Sequence, residues 1–127
     1  MTITNRDRGR LGEEIAALLL ASRGYREVAR NARFGRGEID LLVERGELLV
    51  AVEVKWRRGD SNPEAAVRAW SPMQRARAHA AVLAAMESLP GGARRPWRLD
   101  LVTIGVSARG WSVEHHPGAW SPGGSFW

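Results

Sequence analysis

The sequence predicts a single α/β domain, a small mixed β-sheet flanked by helices. Three observations carry this. The chain has 127 residues, one domain's worth, with no room for a second core. Its apolar spacing changes between helical and strand-like along the order helix, strand, strand, strand, helix, strand. A long helical segment also separates the third strand from the fourth, enough chain for a right-handed parallel crossover.

The elements follow in order. From about Arg8, Leu11, Ile15, Leu18 and Leu19 fall on one helical face, and Gly24 suits a C-cap. Ala16 and Leu20 widen the apolar arc onto a second face, which Glu13 shares. Tyr25 to Arg33 reads as a first strand, and Glu38 to Glu44 and Glu47 to Trp56 as a hairpin turning at Arg45-Gly46. Leu48 to Val52 is apolar without alternation, as in a central strand buried on both faces. Trp56 to Trp70 is expected to be a loop with a short helix after Asn62 and Pro63. Ser71-Pro72 opens an Ala-rich helix that runs to about Ser88, where Leu89-Pro90-Gly91-Gly92 stops it. Arg98 to Val106 is a strand and Trp111 to His115 a short last one. The domain is expected to span 1–116, with 117–127, rich in Gly, Pro and Ser, a flexible tail.

Composition removes several function classes. Hydrophobic residues make up 44% and charged residues 26%, which argues against disorder of the whole chain. The absence of cysteine excludes a thiol nucleophile, a disulfide scaffold and thiolate metal sites. The longest apolar runs, Ile15 to Ala21 among them, are seven residues, against about 20 for a membrane span. With no secretory pattern in MTITNRDRGR, a cytoplasmic protein without membrane contact is expected. No GxSxG, P-loop or Rossmann glycine pattern is present.

The net charge is +5, from 18 arginines and one lysine against 14 acidic residues. A basic balance favours a polyanionic partner. Against this arginine bias the lone lysine, Lys55, stands out: a surface cation could have drifted to arginine at little cost, whereas a site that needs a compact ammonium could not. Lys55 stands two residues from Glu53, so both point to one face of the sheet, with α-carbons roughly 6.6 Å apart. Buried charges are costly unless paired or metal-bound. Folding the hairpin brings Asp40 within about one residue of direct opposition to Glu53. Two carboxylates suit Mg²⁺ or Mn²⁺ rather than zinc. Such a site could polarise a phosphate and activate water, with Lys55 orienting that water or stabilising charge on phosphorus. The plain alternative is a solvated or cross-strand ion pair, the common meaning of Glu-x-Lys on a strand.

The chain also resembles the YraN family of bacterial proteins. Gly9-x-x-Gly12-Glu13-x-x-Ala16-x-x-x-Leu20-x-x-x-Gly24-Tyr25 looks like its opening, and Asn31-x-Arg33, Gly37-Glu38-Ile39-Asp40-Leu41 and Val52-Glu53-Val54-Lys55-x-Arg57 match its core. Arg98-x-Asp100, Glu114-His115 and Ala119-Trp120 are similar to its later elements, so the likeness covers about residues 9–120. That family is placed in the PD-(D/E)xK nuclease superfamily, near archaeal Holliday-junction resolvases. The resemblance implies a restriction-endonuclease-like fold in α-β-β-β-α-β order. It implies Asp40, Glu53 and Lys55 at the three motif positions, with Glu13 as the helical acid that often completes the metal site. Glu13 also has a plainer explanation, as an acid favoured near a helix N-terminus. Glu38 fits the family pattern but could simply pair with an arginine. Gln74 stands where the family commonly shows lysine, and Ser71-x-x-Gln74 is also a capping box.

The implied activity is a Mg²⁺- or Mn²⁺-dependent endonuclease acting on DNA, branched DNA included. The alternative is a non-catalytic nucleic-acid-binding protein with the same fold. Arg33, Arg36, Arg57, Arg58, Arg75 and Arg77 are the expected phosphate contacts. The two-fold symmetry of four-way junctions makes a homodimer an option. His115 and His116 point to opposite faces of a strand, which argues against zinc. Trp111, Trp120 and Trp127 could stack on bases, with packing as the commoner role.

Overall fold

The computed structural model describes residues 4–58, 68 and 70–120, apart from the side chains of Arg58 and Ala93. Its elements are α1 (Asn5–Ser22), β1 (Arg26–Phe34), β2 (Gly37–Arg45), β3 (Leu48–Arg58), α2 (Pro72–Ser88), a 3₁₀ turn (Gly92–Arg94), β4 (Trp97–Ser107) and β5 (Gly110–Trp120). The five strands lie in chain order across one sheet. β3 and β4 are parallel and the other pairs antiparallel. This is the mixed sheet and nuclease-like element order that the sequence predicts, with the crossover carried by α2. The short helix expected after Asn62 lies outside the described residues.

The central strand explains the two layers. Leu49 and Ala51 face α2 and join Leu42, Leu99 and Leu101 under Ala78, Ala81, Val82 and Ala85 of that helix. Val50 and Val52 face the other way and join Leu41, Val43, Val102 and Ile104 under Ala16 and Leu20 of α1. An unbroken apolar run is what a strand covered on both faces requires. The helix α2 begins with the expected capping box. Ser71 accepts from the Gln74 amide, and the Gln74 carboxamide accepts from the Ser71 amide, both at 3.1 Å.

Four features depart from the expectation. α1 starts earlier than Arg8, because Thr4 and Asp7 form a second capping box. Its buried stripe is Gly12, Ala16 and Leu20, while Leu11 and Leu18 are 38% and 64% exposed. Small residues let this helix lie close to the sheet: a Cβ on Gly12 would come within 2.8 Å of the Trp56 indole nitrogen. The hairpin turns at Gly46-Glu47, pairing Arg45 with Leu48, one residue later than expected. Gly46 has φ +59°, which suits the first central position of a type II′ turn. β5 is also longer than a strand ending at His115, so Pro117 to Trp120, expected in the tail, are strand residues. Residues 121–127 lie outside the described residues. No helix among the described residues is long and apolar enough to cross a membrane.

Candidate metal and phosphate site

The shifted turn decides the register. Leu41 pairs with Val52 at the end of the β2–β3 ladder, so one step further Asp40 comes opposite Glu53. Asp40 then takes over where the ladder stops: its Oδ2 accepts a hydrogen bond from the Val54 amide at 2.9 Å. On its other side, Asp40 faces Asn31 of β1, between the pairs Arg30–Leu41 and Ala32–Ile39. Asn31 is left-handed, φ +48°, a conformation that Asn tolerates better than most residues.

Asp40 and Glu53 line one open cleft of about 410 Å³ together with Arg33, Arg36, Glu38, Gln74 and Arg77. The cleft has this wall because α2 approaches β2 closely at Gly37. A Cβ there would sit 2.3 Å from the Arg77 carbonyl oxygen and 2.8 Å from Ala81 Cβ. The Lys55 ammonium is 3.6 Å from a Glu53 oxygen, and its charge also reaches Asp40.

The electrostatics of the pair follow from burial and proximity. Burial raises the Glu53 carboxyl, the Asp40 charge raises it further, and Lys55 opposes both, leaving it pushed up to about 7. Burial also raises Asp40, against the Val54 amide and the Lys55 charge. A hydrogen bond between the two carboxyl groups lowers Asp40 and raises Glu53. Both carboxyl groups are therefore harder to ionise than in water, Glu53 the more so. Burial and the Asp40 charge push Glu13 up as well, against Arg30 and Arg10.

The expected site residues divide into groups. Asp40, Glu53 and Lys55 are brought together. Glu13 lines a separate cleft of about 360 Å³ with Arg10, Glu14, Arg30 and Asn31, and reaches Asp40 through its charge alone. Among the described residues, no three of His, Asp and Glu form a group that could hold a metal ion. Arg33, Arg36 and Arg77 line the acidic cleft, and Arg33 also pairs with Glu38 at 2.9 Å. Arg57 is 7% exposed and holds Ser112 and Glu114 of β5. Arg75 donates to the Trp70 carbonyl at 2.6 Å. The Arg58 side chain lies outside the described residues.

One cluster escapes sequence reasoning. Asp100 is fully buried and accepts two hydrogen bonds from Arg98, one from the Gly118 amide, and lies 2.6 Å from His115 Nε2. Arg98 also donates to the Tyr25 hydroxyl at 2.7 Å. Burial raises Asp100, but the bonds from His115, Arg98 and Gly118 outweigh it and hold the carboxyl below its ordinary range. The network ties β4 to β5 and to Tyr25 in the connection between α1 and β1. Arg98-x-Asp100 is visible as a motif, but its partners meet only through the β4–β5 pairing.

Comparison with known proteins places these motifs in a wider set. A family model described as "Uncharacterised protein family UPF0102", the YraN family, matches residues 12–104. A UPF0102 protein of Symbiobacterium thermophilum is 44% identical over 98 residues, 76% of this chain and 80% of that one. One from Roseiflexus castenholzii is 42% identical over 113 residues, covering 86% and 89%. One from Chlorobaculum tepidum is 37% identical over 126 residues, covering 91% and 92%.

Proposed function

The chain belongs to the UPF0102 family, and on the chemistry of its cleft we propose that it is a Mg²⁺- or Mn²⁺-dependent endonuclease that hydrolyses DNA phosphodiester bonds. The observation that carries this is the convergence of Asp40 and Glu53 on one open cleft that Arg33, Arg36 and Arg77 also line, with the Lys55 ammonium 3.6 Å from Glu53. Two half-buried carboxyl groups facing each other ionise together only at a cost, which the Lys55 ammonium 3.6 Å from Glu53 offsets in part. A proton serves at low pH, and a divalent ion would serve above it.

The residues fit such an ion. Mg²⁺ is usually held by one or two carboxylates together with waters and substrate phosphate oxygens, so a third protein ligand is not required. Asp40 and Glu53 would hold it, with Glu13 close enough to add charge. When bound, the cation would neutralise a phosphate oxygen and make water a better nucleophile at neutral pH. The protein's own groups do the rest. Arg33, Arg36 and Arg77 bind and orient the phosphate backbone. Lys55, beside Glu53, is positioned to hold the attacking water or to stabilise charge as it develops on phosphorus. The Val54 amide fixes one oxygen of the Asp40 carboxylate, which lines the cleft.

A second reading follows from the 3.6 Å Lys55–Glu53 contact: a structural ion-pair network in a DNA-binding protein that does not turn over. Incubation with linear, nicked, flapped and four-way DNA in Mn²⁺ separates the two. The nuclease reading predicts cutting that falls at least about 100-fold in Asp40→Asn, Glu53→Gln and Lys55→Ala. Wild type that binds every DNA in the panel and cuts none would favour the second reading.

A further inference from the structure

At the same end of the sheet, on its opposite face, lies a feature that the proposed chemistry does not use. Trp56 of β3 and Trp111 of β5 meet edge to face, with ring centroids 5.5 Å apart and planes at 66°. Trp56 is clamped. Its indole nitrogen donates to the Arg8 carbonyl at 3.0 Å, and the Arg8 guanidinium lies 5.6 Å from the ring centre. Gly12 is buried beneath it, and only a residue without a side chain leaves that space open. Trp111 is held by its strand and by Trp56, yet remains 57% exposed. Its cross-strand partner Val106 is 43% exposed.

A fixed, half-exposed indole offers a flat π-face to a partner. An apolar protein partner calls for a contiguous patch of several hundred Å², whereas the exposed apolar side chains of this strand pair are Trp111 and Val106, with Arg8 packed on Trp56 and Arg109 two residues before Trp111 in the chain. A flat π-face beside cations matches the chemistry of a nucleobase on its phosphate backbone. Trp56 follows Lys55 directly and stands three residues beyond Glu53, about 10 Å along the strand but on the other face of the sheet, so a nucleic-acid strand reaching both passes around the end of the sheet. The bases of an intact duplex are stacked on each other and offer no free face, so the occupant is an unpaired base.

Resting on the nuclease reading, we propose that Trp56 and Trp111 form a stacking shelf for an unpaired nucleobase on the strand whose phosphate enters the Asp40–Glu53 cleft. The substrate class is thereby narrowed to DNA with single-stranded nucleotides beside the cut, such as a flap, fork or bulge.

Fluorescence anisotropy in EDTA tests this without cleavage, using labelled oligothymidylate and a blunt duplex of equal length. Trp111→Ala is expected to weaken binding of the single strand about tenfold, with a smaller loss on the duplex. Trp111→Phe, which keeps a ring, should recover most of it and remains informative if the alanine variant melts early. Equal losses on both DNAs, no loss at all, or a phenylalanine variant no better than alanine would overturn the shelf. The two proposals fail separately. Protein that never cuts but shows the Trp111 effect keeps the shelf and loses the nuclease. Asp40-dependent cutting with no Trp111 effect does the reverse.

Discussion

Glu53 is a residue whose charge the fold opposes. Its carboxyl is raised from 4.5 to about 7 by burial and by Asp40, so between those values the folded chain binds more protons than the unfolded one. Stability from this group is therefore full below pH 4.5 and is lost as pH rises through 7. Glu53→Gln is expected to raise the melting temperature of metal-free protein near pH 8, by a gain on the order of 1–3 kcal/mol that disappears toward the ordinary glutamate value. Thermal melts across that range check it. A variant equally or less stable than wild type at high pH would mean the two carboxyl groups do not confront each other. Asp100 is the opposite case. Its carboxyl is held low by His115, Arg98 and Gly118 against burial, so its contribution is present above the ordinary aspartate value and fades as pH falls through the lower folded one. Asp100→Ala leaves Arg98 and His115 without their buried partner and should cost on the order of 3–5 kcal/mol near neutral pH, measured by urea unfolding.

Among the elements, the approach of α2 to β2 forms the cleft. Gly37→Ala puts a methyl 2.3 Å from the Arg77 carbonyl, and backbone on both sides leaves little room to relax. It should cost about 1–3 kcal/mol and move Gln74 and Arg77 away from Asp40, lowering DNA affinity beyond what the stability loss explains. Denaturant melts paired with binding isotherms would show both effects. The sequence carried much of this geometry. Alternation and the hairpin placed Asp40 near Glu53, and the unbroken Leu48–Val52 run marked a strand covered on both sides. The Ser71–Gln74 capping box announced the start of α2. The buried side of α1 was not legible, because Gly12 and Ala16 are buried for their small size, while hydrophobicity ranks Leu11 and Leu18 above them. The inward role of Arg57 depends on β5, a partner more than fifty residues away, which no local pattern shows. Asp100 is hidden in the same way, since its companions come from β4, β5 and the connection between α1 and β1.

In the whole molecule, two helices cover opposite faces of one sheet, and the strand ends gather the acidic pair, the lone lysine and several arginines at one end. Packing accounts for the two helix–sheet layers among the described residues. It does not explain two carboxyl groups held together in an open cleft, which is where a bound cation becomes the simplest account. Calorimetric titration of the metal-free protein with Mn²⁺ at about pH 6.5, in buffers of different ionisation enthalpy, measures this directly. The account predicts one binding event that releases on the order of one proton and vanishes in Asp40→Asn and Glu53→Gln. Absence of binding, or binding that survives both substitutions, would contradict it.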